Sequence, residues 1–137
     1  MKKTSILNKL RSSGLRPTKQ RLEIAKYLFN RDKTFHFTVE SLDKLLTKKT
    51  TTKFALATIY NTVHAFKKAG HLSEVRLKGK NNTTYFDTNV SNHHHFYDSE
   101  TSELIDINEK EIKFEKIPRA PNGRNIKNIE VVINLKN

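Results

Sequence analysis

The chain of 137 residues contains no cysteine and no tryptophan, and it has only four glycines and three prolines. The absence of cysteine excludes disulfides and thiolate zinc sites, and it fits a cytoplasmic protein. No apolar run is long enough to cross a membrane or to form a signal peptide. Because apolar residues make up only 35 % and the mean hydropathy is −0.70, we expect a modest core and a homodimer that helps to bury it.

Positive charge is abundant and unevenly spread. Lysine and arginine number 26 against 14 acidic residues, which gives a formal net charge of +12. Residues 1–89 hold 19 basic and 6 acidic side chains, whereas residues 90–137 hold 7 and 8. A basic segment indicates a polyanionic partner such as nucleic acid. We therefore expect two domains: residues 1–89 bind DNA, and residues 90–137 have another role.

The stretch from Ala55 to Gly70 has the apolar spacing of an amphipathic helix. Its predicted buried face consists of Leu56, Ile59, Val63 and Phe66. Its opposite face carries Tyr60, Asn61, His64, Lys67 and Lys68. Thr58 is the predicted cap at the start, and Gly70 the predicted stop. The pattern suits a DNA recognition helix, but it is also typical of an ordinary surface helix.

The neighbouring segments favour the first interpretation. Three shorter helices are predicted before it, one within residues 1–13 and two that begin at Thr18 and Thr38. After it, β-rich runs at 72–77 and 83–88 flank the turn cluster 79–82, which predicts a hairpin with a basic tip. Helices followed by such a hairpin are typical of a winged helix-turn-helix.

In this arrangement, Tyr60 is the candidate for contact with a thymine edge and Asn61 for a hydrogen bond to a base or phosphate. The basic run at residues 16–21 either contacts the DNA backbone or only favours solubility. The further predicted DNA contacts are Arg16, Lys19, His64, Lys67, Lys68, Arg76 and Lys80.

Residues 90–137 have a different pattern. Strands are predicted around 93–97, at 103–107 and at 126–135, and a short helix within 108–117. The last strand would place Ile129, Val131, Ile133 and Leu135 on one face. The predicted fold class is α+β, an N-terminal winged helix-turn-helix followed by a small α/β lobe. The sequence shows no glycine-rich phosphate loop and no Ser or Cys nucleophile pattern, so we do not expect an enzyme.

Several histidines and two aspartates are the candidate ligands of a metal or haem site. On a strand, His93 and His95 share a face and His94 points the other way. Asp87 and Asp106 could approach this triplet, and His36 is a further candidate. Imidazole with carboxylate suits Fe or Mn, with Zn or Cu as alternatives, and axial ligation of haem is also open. The simplest alternatives are a structural role for His36 and an exposed polar loop for the triplet.

Four motifs carry a resemblance to a known family: LRPTKQR, HFTVESL, LATIYNTVHAFKKAGHL and TYFDTN before the histidine triplet. In this order the chain resembles the Fur (ferric uptake regulator) superfamily along nearly its whole length. HHHFYD, ELIDI and the lack of cysteine are similar to the iron response regulator branch, in which haem reports iron status.

The resemblance implies a homodimer with an N-terminal winged helix, and a C-terminal dimerisation lobe in residues 90–137 with metal sites at the hinge. It implies His36, Asp87, His95 and Asp106 as metal ligands, and His93, His94 and His95 as haem ligands. It also makes Tyr60 a base-contacting residue. The chain departs from the pattern at Tyr97, where many relatives place a histidine, and it lacks the family's CxxC pairs.

The sequence therefore predicts a cytoplasmic, dimeric transcription regulator of iron homeostasis that binds an AT-rich palindromic operator in duplex DNA and no membrane. Its ligand would be haem and/or Fe²⁺, with Mn²⁺ or Zn²⁺ as alternatives. The competing hypotheses are a metal-independent winged-helix DNA-binding protein and a small metal-dependent nucleic-acid hydrolase.

Overall fold

The computed structural model describes residues 3–77 and 84–137. It divides into two compact units, Met1–Val90 and Ser91–Asn137. The fold is mixed α+β, with four helices in the first unit and a small sheet in each. The predicted hairpin tip at 79–82, which includes Lys80, lies outside the described residues.

The first unit contains the four α-helices of the described ranges. They are α1 (Lys3–Ser12), α2 (Lys19–Phe29), α3 (Val39–Lys49) and α4 (Leu56–Lys68). Its strands are β1 (His36–Phe37), β2 (Ser73–Arg76) and β3 (Thr84–Asp87), in the sheet order β1-β3-β2. Both neighbouring pairs are antiparallel, and the pairing of β2 with β3 confirms the two strands of the predicted hairpin.

Local signals correctly predicted most helix ends. Thr18 accepts a hydrogen bond from the Arg21 N–H, and Thr38 forms a reciprocal capping box with Ser41. Gly70 has φ +87°, as expected for a left-handed residue after a helix.

The start of α4 differs from the prediction in two ways. Its cap position is Ala55, which has no side-chain cap, so the capping role predicted for Thr58 is wrong. Leu56 is 54 % exposed rather than buried, because it is the first helical residue and lies beyond the end of the buried core. Thr62, which was not predicted to face the core, is buried. Its hydroxyl donates to the Thr58 carbonyl over 2.7 Å.

The core of the first unit is built from all four helices and the strands β1 and β3. Aromatic rings pack across it, with Phe29 against Phe66 at 5.6 Å and Phe37 against Phe86 at 5.7 Å between centroids. Its buried members are Ile6, Leu10, Ile24, Ala25, Leu28, Phe37, Leu42, Leu46, Ile59, Val63, Phe66, Leu72 and Phe86. This packing holds the inner face of α4 and leaves its outer face exposed.

The second unit is a three-stranded sheet with the order β5-β4-β6. Its strands are β4 (His93–Asp98), β5 (Glu103–Asn108) and β6 (Val132–Leu135). Strand β5 runs antiparallel to β4, and β6 runs parallel to it. The three predicted strands are therefore confirmed, although β6 is shorter than expected.

Two predictions for the second unit are wrong. The short helix predicted within 108–117 is only a 3-10 turn at Glu109–Glu111, because the backbone of Ile112 is already extended. The last strand does not begin at Ile126. Pairing starts only near Val131, whose N–H donates to the His94 ring. Its predicted apolar face is not buried within this unit, since Ile133 and Leu135 are each 39 % exposed.

His71 gives the first unit a defined response to acid. Its Nε2 lies 2.8 Å from the Ser13 hydroxyl, and its ring packs edge-on against Phe29. Burial and the nearby charge of Lys9 lower the pKa of His71 below 6.5. The unfolded chain therefore takes up this proton at a higher pH than the folded chain, so stability is lost as the pH falls below about 6.5.

Replacing His71 by glutamine should reduce this loss. We expect a flatter dependence of the unfolding free energy on pH between pH 7.5 and 5 than in the unaltered protein, because the proton uptake on unfolding is removed. Urea denaturation in the presence of a chelator measures it. Equal slopes for the two proteins would contradict the assignment.

Candidate metal centre and nucleic-acid interface

The outer face of α4 carries the predicted DNA-reading side chains. Tyr60 is 53 % exposed, and Asn61 and Lys68 are also exposed. His64 is half-buried. Lys67 is half-buried as well and forms an ion pair with Glu74.

The other predicted contacts lie outside α4. Lys19 is exposed in the first turn of α2, Arg16 is exposed in the segment just before that helix, and Arg76 lies in β2. The described part of this unit thus presents exposed cations on α2, on α4 and just before α2, and an exposed tyrosine on α4, as contact with a duplex requires.

A histidine–aspartate pair links two strands of the first unit. His36 in β1 is the register partner of Asp87 in β3, and its Nε2 lies 3.0 Å from Asp87 Oδ2. Asp87 is fully buried, and its other oxygen accepts the Asn89 N–H at 2.8 Å. A buried carboxylate beside an imidazole is a pair of groups that can ligate a divalent cation.

The second unit contains a triad of two histidines and one aspartate. Successive residues of a strand point to opposite faces, so His93 and His95 of β4 lie on the same side. Asp106 of β5 is the register partner of His95. Its Oδ1 lies 3.2 Å from His93 Nε2 and 3.3 Å from His95 Nε2. Both imidazoles therefore turn the same ring nitrogen towards one carboxylate oxygen.

Acceptors on the far side of both rings favour the tautomer that can bind metal. His93 Nδ1 donates to the Ser91 carbonyl over 2.6 Å, and His95 Nδ1 faces Glu130 Oε1 at 3.4 Å. A proton on Nδ1 leaves the lone pair of Nε2 for a ligand.

His94 occupies the opposite side of β4. It is 4 % exposed, its Nδ1 accepts the Val131 N–H over 2.9 Å, and its ring packs edge-on against Phe114. In a neutral ring this acceptor role places the proton on Nε2, so Nε2 has no lone pair for iron. The nitrogens of His93 and His95 face a carbonyl and carboxylates instead of an open apolar slot. The three histidines therefore do not fit axial ligation of haem as they stand.

The structure adds detail to the sequence interpretation at two positions. The metal-ligand set implied by the resemblance contained His95 but not His93, whereas in the structure both share Asp106, as the alternation along the strand already allowed. Glu130 was missed because it comes from a segment far along the chain.

Comparison with known proteins decides the family. A family profile described as "Ferric uptake regulator family" matches residues 12–134, most of the chain. The chain belongs to the ferric uptake regulator family. Members of this family are DNA-binding dimers that regulate transcription and are not enzymes. The hydrolase hypothesis is therefore wrong.

Sequence similarity to a characterised repressor agrees with membership in the ferric uptake regulator family. The chain is 32 % identical over 98 residues to the "Peroxide-responsive repressor PerR" of Staphylococcus epidermidis, which covers 72 % of this chain and 62 % of that protein. It therefore matches less than two thirds of the length of this relative.

Solved structures of the ferric uptake regulator family share the fold. The ferric uptake regulator of Vibrio cholerae has a TM-score of 0.70 at 23 % identity, with 95 % of this chain and 98 % of that chain covered. The ferric uptake regulator of Pseudomonas aeruginosa, solved with manganese, has a TM-score of 0.69 at 21 % identity, with 100 % of this chain and 98 % of that chain covered.

In the ranges that the structure describes, no helix has the length and apolar character needed to traverse a bilayer.

Proposed function

We propose that this chain is a metal-responsive transcription regulator, in which a bound divalent cation sets the affinity for duplex DNA. The observation that carries the proposal is the triad of the second unit. There, His93 and His95 direct Nε2 at one oxygen of Asp106, each with an acceptor near Nδ1. Such outer partners are typical of metal-ligating histidines.

One cation shared by the two groups is the second part of the proposal. The pair His36 and Asp87 belongs to the first unit, and the triad belongs to the second. Only five residues connect Asp87 to His93, so the chain cannot separate these two side chains by more than roughly 20 Å between Cα atoms. A cation held by both groups would fix the angle between the units, and hence the spacing of two recognition helices in a dimer.

The ligand set favours Fe²⁺ or Mn²⁺. Three imidazoles with two carboxylates suit five- or six-coordination, and no thiolate is available for a closed zinc site. The relative from Pseudomonas was solved with manganese, which supports Mn²⁺ as a probe. With Fe²⁺ as the physiological ion, the regulated genes would be those of iron homeostasis.

The DNA side of the proposal rests on charge and exposure. Residues 1–89 carry all of the excess positive charge, and α4 exposes Tyr60 and Lys68. We propose that residues 1–89 are a winged-helix DNA-binding domain and that residues 90–137 form a homodimer. Exposed apolar side chains of the second unit support the dimer: Ile105, Phe114, Ile117, Ile126, Ile129, Ile133 and Leu135. A twofold dimer reads a palindromic operator, for which we propose an AT-rich sequence.

Haem responsiveness, and with it the iron response regulator branch, stays a prediction of the sequence. Ligation through His93, His94 and His95 would require each ring to exchange its present partner. Haem titration followed by absorption spectra tests it, and a Soret shift that is lost in His94→Ala would support it.

The decisive experiment measures DNA affinity with and without metal. A duplex is first selected from a random library in the presence of Mn²⁺, and its dissociation constant is then measured with Mn²⁺ and with a chelator. We expect the two values to differ by about 5- to 150-fold, the usual range of coupling between two sites. Equal values would favour the metal-independent winged-helix protein and overturn the proposal.

Backbone contacts predict a second measurable change. Replacing Arg16, Lys19 and Lys68 together by alanine should flatten the log–log salt dependence of DNA affinity by about 2 to 3, at ~0.9 per phosphate contact. Titrations at four salt concentrations measure the slope. Replacing Lys110, Lys113 and Lys116 of the second unit in the same way is the control, and we expect it to leave the slope unchanged. Identical slopes for the two triple variants would refute these contacts.

A further inference from the structure

His64 lies between the strand that supplies a candidate metal ligand and the side chain predicted to read DNA. We propose that His64 is a positioning residue that transmits metal binding to Tyr60. This inference rests on the proposed function and deepens it, because it names the route within the first unit by which a cation would change DNA reading.

The ring of His64 contacts one buried and one exposed aromatic ring. Its centroid lies 4.2 Å from that of Tyr60 and 5.8 Å from that of Phe86, which it meets edge-on at 84°. Phe86 is 2 % exposed, whereas Tyr60 is 53 % exposed. His64 therefore connects a ring of the core with a ring on the outer face of α4.

Phe86 in turn is held by the strand pair that carries the candidate ligands. It is the register partner of Phe37, and the two rings stack with 5.7 Å between centroids and 26° between planes. The adjacent pair in the same ladder is His36 with Asp87. A cation bound by that pair would fix β1 against β3, and with it the ring pair on which His64 rests.

Within the first unit, a route through side chains is favoured because the backbone of α4 is anchored. Ile59, Val63 and Phe66 are fully buried in the core, so the helix itself has little freedom to shift. Tyr60 and His64 are four residues apart on the same helical face, the spacing at which side chains touch. Without the His64 ring, Tyr60 loses this ring contact, and with it the described link between its orientation and the ring of Phe86.

The test compares coupling factors, defined as the ratio of the DNA dissociation constants measured with chelator and with Mn²⁺. We expect His64→Ala to reduce this factor by about 2- to 10-fold, the range that corresponds to one aromatic pair. The Mn²⁺ affinity of the DNA-free protein should stay unchanged, because His64 is not a ligand. The Mn²⁺ affinity of the DNA complex should fall by the same factor as the coupling, since linkage is reciprocal.

Two further variants separate positioning from other roles. His64→Phe keeps a ring in place and should retain most of the coupling. Lys68→Ala, on the exposed face of the same helix, should weaken DNA binding equally with and without Mn²⁺. A coupling factor near one in the unaltered protein would overturn both the proposed function and this inference. A large factor that His64→Ala leaves intact would overturn only the inference.

Discussion

Replacing Asp106 by asparagine should lower the affinity for Mn²⁺ by at least about 100-fold. Removal of a group that only supports a ligand costs up to about 100-fold, and removal of a direct ligand should cost at least as much. The substitution keeps the shape of the side chain and removes its charge. Oδ1 of Asp106 faces both His93 and His95, so the substitution removes the negative charge at the point where the three side chains meet. Competition against a fluorescent chelator measures the affinity, and DNA binding of the variant should no longer respond to Mn²⁺.

A matched control lies on the same strand. Glu103 is an exposed carboxylate at the start of β5, and Glu103→Gln should leave the Mn²⁺ affinity unchanged. If the two variants bind Mn²⁺ equally well, Asp106 is not a ligand.

The same measurement on His36→Ala tests whether the cation is shared. His36 belongs to the first unit. If the site were confined to the triad, replacement of His36 would leave the Mn²⁺ affinity unchanged. We expect a loss of affinity similar to that of Asp106→Asn. Retention of full affinity would assign the cation to the second unit alone, and would remove the proposed mechanism in which metal fixes the angle between the units.

Replacing Phe66 by alanine should destabilise the protein by about 3 to 5 kcal/mol, the usual cost of removing a phenyl ring from a core. Phe66 is fully buried on the inner face of α4 and packs against Phe29. The lost ring leaves a cavity that the surrounding helices can fill only in part. Urea denaturation in the presence of a chelator measures the change without a contribution from bound metal.

Leu56→Ala is the control for this prediction. Leu56 has the same helical spacing in the sequence, but it is 54 % exposed. We expect its replacement to change stability by less than about 0.5 kcal/mol, as is usual for surface positions. Equal losses for the two variants would show that Leu56 is buried in solution and would contradict the description of α4.

Interactions between residues close in the chain could be predicted. The four helices and the caps at Thr18 and Thr38 follow from apolar spacing and from hydrogen bonds that span three or four residues. The common face of His93 and His95 follows from the alternation of a strand. These features depend on backbone periodicity alone, so the sequence carries them without reference to the rest of the molecule.

Other features depend on residues far apart in the chain. The sequence offered His36 as a candidate ligand before the helix that begins at Thr38, but it did not show that His36 lies on a two-residue strand, which pairs with β3 some 50 residues later. Glu130 approaches His95 only after β6 returns to lie beside β4. The exposure of Leu56 was likewise decided by where the core ends, since its spacing equals that of buried neighbours.

The sequence by itself determined the helical and strand periods, the basic character of the first 89 residues and the set of imidazoles and carboxylates available for a cation. Only the tertiary structure decided that Asp106 lies between His93 and His95, and that His64 lies between Phe86 and Tyr60. The physical reason is that periodicity specifies the face on which a side chain lies, whereas strand pairing and core packing specify what that face meets.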